Sequence, residues 1–295
     1  MQVPVASLPK ISFEFFPPKT PAGVGKLHAT SATLAAWQPE FFSVTFGAGG
    51  STQAGTRDTV FALQAAGYEA APHLSCIGSS AEQLRIILDA YKTQGIRRLV
   101  ALRGDLPSGY GGKSAGQFRY ANELVSFIRA ETGDWFNIEV AAYPEMHPQA
   151  PSPDDDVANF VRKANAGANA AITQVFYNTD AYFRFVDEVR KAGSDIPIVP
   201  GILPITNYAQ LIRFTETCGA EVPRWMQRKL ASFHDDTASL CAFGTDVVTE
   251  ICDRLIAGGA PGLHFYTMNQ SAPTLAILNA LRPDITHGSL VAVAA

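Results

Sequence analysis

Side chains suited to acid–base chemistry stand inside or directly after short apolar segments of the chain. Glu14 lies within the apolar run Phe13–Phe16. Desolvation there disfavours the ionised carboxylate, so we expect the pKa of Glu14 to be raised. A carboxyl group that titrates near neutrality suits a general acid. Pairing with a buried cation is the alternative interpretation of the same residue.

Two charged motifs have two interpretations each. In Arg103-Gly104-Asp105 the opposite charges could form a structural salt bridge, whereas the glycine would let a ligand approach the backbone closely. The acids Asp154–Asp156 suit the first turn of a helix, and the basic pair Arg162-Lys163 follows them. By pattern alone this basic pair favours a solvated helix face over an anion contact.

Other common catalytic sites are not indicated. Metal-ligand side chains occur at His73, Glu145, His147 and His264. Their spacing fits no common metal site, so we predict no metal. No lysine stands at the end of a predicted strand, which argues against Schiff-base chemistry. The segment Gly47–Gly50 is either a phosphate-binding loop or a tight turn between strand and helix, and the turn is the simpler interpretation.

These residues need a scaffold that alternates short strands with helices. The predicted strands are Ile11–Phe15, Phe41–Thr45, Ala70–Leu74, Arg98–Leu102, Ile138–Ala142, Ala170–Val175, Ile198–Ile202 and Gly262–Tyr266. The predicted helices are Gly23–Trp37, Thr56–Ala66, Ala81–Gln94, Gln117–Glu131, Pro153–Ala166, Asp180–Lys191, Tyr208–Cys218, the longer helical region Pro223–Ala257 and a last helix at Ala276–Leu281. The expected N-caps are Ser80, Ser152 and Thr179.

This alternation predicts an α/β fold with a parallel sheet. Eight such units in about 270 residues match a (β/α)8 TIM barrel, with an extra helix before the last strand. A doubly wound sheet is the structural alternative. We expect residues 1–295 to form a single catalytic domain whose barrel core spans about 10–282. Polar residues collect where the predicted strands end, which is where such barrels have their active sites, and this favours an enzyme over a structural barrel.

The composition fits a cytoplasmic protein without a nucleic-acid or membrane partner. Lys plus Arg number 23 and Asp plus Glu 27, which gives a net charge of −4. This balance shows no excess of basic residues that would indicate binding to nucleic acid or to an anionic membrane surface. The four cysteines form no CxxC pair and fit reduced, buried thiols. We expect no signal peptide, because the first ten residues lack an apolar core, and no run of about 18 apolar residues predicts a membrane span.

Seven motifs occur in an order and spacing that carry a family resemblance. They are Ser12–Lys19, Pro72–Cys76, Ala101–Pro107, Ala141–Glu145, Ile172–Gln174, Pro200–Pro204 and His264–Thr267. Together they resemble the signature of the bacterial, FAD-dependent methylenetetrahydrofolate reductase family over about residues 10–282.

The resemblance implies a set of site residues around FAD at the mouth of the barrel. Those implied to bind FAD are Thr45, His73, Arg103, Gly104, Asp105, Tyr120, Ala142, Tyr143, His147, Asp156, Asn159, Arg162 and Lys163. Those implied to bind the folate substrate are Glu14, Asp105, Gln174, Gln210, Phe214, Tyr266 and Gln270. The implied catalytic residues are Glu14, Asp105 and Thr45. Under this resemblance Arg162 and Lys163 would neutralise the FAD pyrophosphate, contrary to the pattern-only interpretation.

The implied activity is the reduction of 5,10-methylenetetrahydrofolate to 5-methyltetrahydrofolate, in one-carbon metabolism that leads to methionine. Hydride would pass from NADH or NADPH through FAD in a ping-pong sequence. Glu14 would protonate the leaving nitrogen of the folate, and Asp105 would stabilise cationic character in it. The family likeness also implies a homo-oligomer.

The sequence deviates from the family pattern at one site position, and three alternative functions are considered beside the resemblance. Gln270 stands where the family pattern often has an arginine, which weakens the expected contact with the donor or substrate. One rival is another FAD-dependent (β/α)8 dehydrogenase, such as a proline-dehydrogenase-like enzyme; Gln174 and Gln210 favour the larger pterin instead. A second rival is a cofactor-free barrel lyase, but the strand-end lysine or metal ligands that such an enzyme needs are not found in this sequence. A non-catalytic flavin or folate binder would be expected to lose Glu14 or Asp105.

Overall fold

The computed structural model describes residues 9–47, 53–104 and 117–281 of the chain. The strands are β1 (Lys10–Phe15), β2 (Phe41–Val44), β3 (Ala70–Ser75), β4 (Arg98–Leu102), β5 (Asn137–Ala142), β6 (Ala170–Thr173), β7 (Ile198–Val199), β8 (Gly201–Ile202) and β9 (Gly262–Tyr266). The helices are α1 (Pro21–Ala35), α2 (Gln53–Ala65), α3 (Ala81–Thr93), α4 (Ala121–Thr132), α5 (Pro153–Asn165), α6 (Thr179–Lys191), α7 (Tyr208–Cys218), α8 (Arg224–Ala231), α9 (Thr237–Ala257) and α10 (Ala272–Leu281).

The strands pair in parallel and close into a ring. Neighbours follow chain order from β1 to β7, and β9 lies between β8 and β1. β7 and β8 are separated only by Pro200, and they pair with β6 and β9 respectively. Together they form the seventh strand of the barrel and join its two halves. The predicted (β/α)8 TIM barrel is therefore confirmed, as is the extra helix, α8, before the last strand.

The seventh strand differs from the continuous segment that the sequence predicts. Proline has no N–H to donate to a neighbouring strand, so the ladder is interrupted at Pro200. The next residue, Gly201, instead donates its N–H to the Thr173 hydroxyl at 2.9 Å. A Cβ on Gly201 would lie 2.3 Å from the Thr173 carbonyl oxygen, so only glycine allows this close approach.

The residue at which a helix begins is determined by local hydrogen bonds more than by the pattern of apolar residues. Ser80 and Ser152 cap α3 and α5 as predicted, each accepting a bond from a backbone N–H. The prediction of Thr179 as a cap is wrong, because Asn178 takes that position and accepts from the Asp180 N–H at 3.1 Å. Helix α4 begins four residues later than predicted, because the Glu123 carboxylate accepts from the backbone N–H groups before it.

Two apolar cores position the site. The outer core lies between the strands and the helices, and Phe13, Phe42 and Phe265 pack in it with ring centroids 5.7 to 6.0 Å apart. A smaller inner cluster of Phe41, Ala71, Val100 and Ile172 lies inside the barrel. Side chains alternate in direction along each strand, so Ser12 and Glu14 point inward when Phe13 points outward. Among the described helices none is long and apolar enough to cross a membrane.

Candidate active site

Glu14 lies at the end of β1 with two imidazoles beside its carboxylate. Its Oε2 is 3.2 Å from His73 Nε2 on β3 and 3.5 Å from His264 Nε2 on β9. The Glu14 side chain keeps 17% of its exposure, while His264 is fully buried. Neither imidazole nitrogen has the direction of a good hydrogen bond. The three side chains therefore form a close charge cluster, open to the mouth through Glu14.

The other imidazole nitrogen of His264, Nδ1, contacts a serine on the side away from the mouth. Ser12 Oγ lies 2.7 Å from His264 Nδ1 within the barrel. The β1–β9 register pairs Ser12 with His264 and Glu14 with Tyr266, which brings all four residues to one inner face. Neither Ser12 nor His264 is among the site residues that the sequence predicts. The two-residue alternation of each strand is the signal that could have found them.

The electrostatics of Glu14 differ from the expectation drawn from its apolar neighbours. Burial raises the pKa of this carboxyl, but the combined effect of His73 and His264 outweighs it and lowers the pKa to about 2. The expected rise is therefore wrong for this arrangement, because the sequence-adjacent phenylalanines face away from the carboxylate while imidazoles from distant strands face it. An N–H on either imidazole nitrogen would place an exchangeable proton beside the Glu14 carboxylate.

The residues after β4 form a closely packed turn under the mouth. Gly104 has φ +85°, and a Cβ there would lie 1.8 Å from Ser75 Oγ. Any other residue would therefore be both strained and in collision at this position. The Ser75 hydroxyl donates to the Arg103 carbonyl at 2.9 Å and fixes the turn. Asp105 and residues 48–50 of the predicted glycine-rich turn lie outside the described residues.

A polar group on the far side of the mouth joins β5 to α5. The rings of Tyr143 and His147 meet edge to face with centroids 4.5 Å apart. The His147 backbone N–H donates to Asp156 at 2.9 Å, and Gln149 N–H donates to His147 Nδ1 at 3.0 Å. Because Nδ1 accepts, a neutral His147 carries its proton on Nε2. The chain thereby fixes both the position and the tautomer of this imidazole.

Helix α5 presents two different cations. The half-buried Lys163 donates from its ammonium group to the Ala141 carbonyl at the end of β5, and desolvation lowers the pKa of Lys163 to about 8. Arg162 is exposed and contacts Asn159 on the preceding turn. The basic pair is thus not simply a solvated face, since one member reaches under the strand ends. An anion at this position would stabilise the charged form of Lys163.

Gln174 and Tyr266 continue the mouth on the opposite side. The Tyr266 hydroxyl donates to the Thr173 carbonyl at 2.6 Å. Gln174 follows directly, and its backbone N–H donates to the Ala142 carbonyl at 2.7 Å. Gln174 and Tyr143 line one narrow crevice with Cys218 at the end of α7.

The remaining predicted residues lie at the rim or on α7. Thr45 follows β2, where its N–H donates to Phe15 and its carbonyl accepts from the Thr56 hydroxyl at 2.7 Å. Gln210 and Phe214 are four residues apart on α7, hence on one helix face. Phe214 is half-buried and packs against the outer core. Other rim positions are the half-buried Tyr143 and Arg103, the exposed Tyr120 and Gln270, and the buried Ala142.

These residues fit an elongated, anionic and partly aromatic cofactor. Arg103, Arg162 and Lys163 provide positive charge, and Tyr120 presents a ring that is 56% exposed. Within the described ranges no group of three His, Cys, Asp or Glu side chains is arranged to hold a metal ion.

Comparison with known proteins identifies relatives over almost the whole chain. The model of the family described as methylenetetrahydrofolate reductase matches residues 2–282. The chain is 42% identical over 280 residues to 5,10-methylenetetrahydrofolate reductase of Pectobacterium carotovorum subsp. carotovorum, covering 94% of this chain and 92% of that one. It is 39% identical over 278 residues to the Escherichia coli K12 reductase, covering 93% and 92%. A probable methylenetetrahydrofolate reductase (NADH) of Oryza sativa subsp. japonica is 39% identical over 279 residues, 90% of this chain and 47% of that one.

Solved structures share the fold at low sequence identity. An uncharacterised protein of Clostridium thermocellum that binds two copies of 5-methyl-5,6,7,8-tetrahydrofolic acid superposes with a TM-score of 0.64 at 14% identity, covering 94% of this chain and 95% of that one. A 2,3-dimethylmalate lyase superposes with a TM-score of 0.51 at 9% identity, covering 92% and 78%. At such identities the likeness concerns the barrel alone.

Proposed function

The chain belongs to the methylenetetrahydrofolate reductase family, and we propose that it reduces 5,10-methylenetetrahydrofolate to 5-methyltetrahydrofolate with hydride that passes from NADH or NADPH through FAD in a ping-pong sequence. Family membership over residues 2–282 supports the reaction class. The feature of the site that best supports the chemistry is the Glu14 carboxylate, which lies 3.2 Å from His73 and 3.5 Å from His264 at the mouth.

The residues around the mouth suit the binding of FAD. FAD, when bound, supplies the hydride chemistry that no side chain of the barrel can supply. Arg103, Arg162 and Lys163 would compensate its pyrophosphate charge, and Asp156 would position His147 through the 2.9 Å backbone contact. We assign Thr45, His73, Gly104, Tyr120, Ala142, Tyr143 and Asn159 to the lining of the same site.

Glu14 would act as the general acid of folate reduction. Opening the five-membered ring of the folate requires a proton on the leaving nitrogen, and the resulting iminium carbon accepts the hydride. Because the pKa of Glu14 is about 2, its carboxylate must first receive a proton from the adjacent cluster. His73 Nε2 and His264 Nε2 lie close enough to supply it after a small approach.

The folate itself would be held by residues around this acid. We assign Asp105 to the pterin ring, where its charge would stabilise the cationic iminium. Gln174 would bind the polar pterin edge, and Gln210 with Phe214 would cover the substrate from one face of α7. Tyr266, the last residue of β9, and Gln270, four residues later, complete this set. The methyl product suits methionine synthesis, and four free thiols suit the reducing cytoplasm.

An anaerobic spectral titration tests the proposal. Purified protein loaded with FAD is mixed first with NADH or NADPH, and then with methylenetetrahydrofolate. We expect the flavin absorbance to bleach with at least one donor and to recover with the folate. Protein that does not bind FAD, or flavin that does not bleach with a donor, would contradict the proposed cofactor and donor class.

A further inference from the structure

A second polar cavity lies at the opposite end of the barrel from Glu14. Its volume is about 390 Å³, and it is lined by residues that begin six different strands. These are Lys10, Phe41, Arg98, Asn137, Ala170 and Gly262. Because all strands are parallel, their first residues meet at the N-terminal end of the barrel. We call this cavity the lower chamber.

The lower chamber contains charge that is only partly satisfied by the chain. Arg98 and Glu139 form an ion pair at 2.5 Å, and the Glu139 side chain is 3% exposed. Arg98 Nε, Glu139 Oε2 and Asn137 Oδ1 are buried and have no hydrogen-bond partner among the described residues. Buried polar atoms of this kind normally bind water when protein partners are missing. The chamber far exceeds the ~15 Å³ that one water needs, so it can hold several.

Ser12 connects the lower chamber to the active site. It lines the chamber, and its hydroxyl lies 2.7 Å from His264 Nδ1. The opposite nitrogen of the same imidazole is 3.5 Å from Glu14 Oε2. The surrounding inner cluster of Phe41, Ala71, Val100 and Ile172 is apolar. Ser12 and His264 therefore provide a polar route past this apolar cluster.

We propose that the lower chamber is a proton port, through which the proton used by Glu14 enters the barrel from the end opposite the substrate. This inference rests on the proposed function, because reduction of the folate consumes one hydride and one proton. A folate lying over the mouth excludes solvent from Glu14 on that side. Water in the chamber can then supply the proton from below.

Each proton that moves in this transfer has a named donor and acceptor. The His264 Nε2 proton passes to Glu14, the Ser12 hydroxyl proton passes to His264 Nδ1, and chamber water reprotonates Ser12. The hydroxide left in the chamber takes a proton from bulk solvent, for which the exposed Lys10–Glu40 ion pair at 2.7 Å marks the rim. After the product leaves, solvent at the mouth protonates Nε2 and Nδ1 returns its proton through Ser12. This restores the starting tautomer of His264.

Filling the lower chamber tests the port while leaving the mouth unchanged. Ala170→Leu adds three carbons at the first residue of β6, and Ala192→Leu adds the same atoms at an exposed position after α6. In stopped-flow assays of the FAD-loaded protein, Ala170→Leu should slow reoxidation by the folate by roughly tenfold and enlarge its solvent isotope effect, since proton supply becomes limiting. Flavin reduction by NADH or NADPH should be unchanged, and Ala192→Leu should match the wild type in both steps.

Ser12→Ala provides the second variant, since it removes only the oxygen that joins the chamber to His264. We expect the same selective loss, with recovery in Ser12→Thr, which keeps the hydroxyl. A wild-type folate step in Ser12→Ala would overturn the port even if Ala170→Leu did not fold. If the wild-type protein itself shows no folate step, the proposed function fails and the port fails with it.

A crystal structure offers a readout that does not depend on activity. Ordered water should contact both Glu139 Oε2 and Ser12 Oγ in the wild type, and this connection should be lost in Ala170→Leu. A wild-type chamber without water at Ser12 would contradict the port.

Discussion

The two ends of the barrel interior shift the pKa of a glutamate in opposite directions. At the mouth, two imidazoles lower the pKa of Glu14 to about 2. At the lower chamber, burial raises the pKa of Glu139 although Arg98 is only 2.5 Å away. Burial is the largest single influence on both carboxyls, and it is outweighed only at Glu14, where the combined effect of two imidazoles opposes it. Distance to a cation alone therefore does not decide the charge of a carboxyl group in this barrel.

This difference separates an end whose carboxylate has titratable neighbours from an end whose carboxylate has a fixed charge beside it. Glu14 has imidazole neighbours that can themselves gain and lose protons. The neighbour of Glu139 is a guanidinium, which stays charged at any physiological pH. Arg98 also lies over the Phe41 ring at 4.4 Å, and that ring stacks on His264 at 5.8 Å. Arg98, Phe41 and His264 thus form a continuous stack that runs from the chamber towards the mouth.

The largest effect should come from removing the proposed acid at the mouth. Glu14→Gln keeps the size of the side chain but has no proton to give, so folate reduction should fall by about 10²- to 10⁴-fold. Flavin reduction by the nicotinamide donor should keep its wild-type rate. Stopped-flow absorbance measures the two half-reactions separately. Equal losses in both would show that Glu14 positions the flavin and is not the acid.

At the chamber, breaking the ion pair should affect stability more than chemistry. Arg98→Met leaves the Glu139 carboxylate buried without its partner, which typically costs about 3–5 kcal/mol in the free energy of unfolding. Arg98→Met combined with Glu139→Gln removes the uncompensated charge and should recover most of that loss. Urea unfolding measures both variants. Similar stability of the single and double variants would show that the pair is not energetically coupled.

The stability of the mouth should depend on pH through Glu14. Its folded-state pKa of about 2 lies below the ordinary value of 4.5, so the carboxylate stabilises the fold above pH 4.5. This contribution is lost progressively as the pH falls from 4.5 through about 2. The unfolding free energy of the wild type should thus approach that of Glu14→Gln over this window. A constant difference between the two proteins would contradict the imidazole contacts.

A smaller effect should follow at the proposed FAD site on α5. Lys163→Met should weaken FAD binding by roughly tenfold near pH 7, because a partly buried cation on pyrophosphate contributes ~1–2 kcal/mol. Lys191→Met, on the exposed last turn of α6, is the matched control and should leave FAD affinity unchanged. Fluorescence titration with FAD gives both constants. Unchanged affinity in Lys163→Met would remove this lysine from the FAD site.

The smallest effect concerns the exposed rim. Gln270→Arg restores the cation that the family pattern often has after β9, and it should lower the KM for the nicotinamide donor only a few-fold, since exposed ion contacts contribute ~0.2–1 kcal/mol. Steady-state kinetics at low and high salt would measure it. A KM that does not change at low salt would place the donor away from Gln270.

The sequence predicts the scaffold of this site better than its electrostatics. Alternating strands and helices leave a local periodic pattern, so the barrel and the extra helix can be predicted. The break at Pro200 and the contact of Ser12 with His264, 252 residues away, depend on which strands become neighbours. The predicted direction of the Glu14 pKa is wrong for the same reason, since its neighbouring imidazoles come from β3 and β9. Cross-strand partners must be known before a buried charge can be assigned.

A single-turnover experiment tests the central claim most directly. FAD-loaded protein is reduced anaerobically with one equivalent of donor, separated from the oxidised nicotinamide, and mixed with one equivalent of methylenetetrahydrofolate. We predict that the flavin spectrum recovers in one step and that mass spectrometry finds one 5-methyltetrahydrofolate per flavin. Flavin that stays reduced while the folate is recovered unchanged would contradict the account.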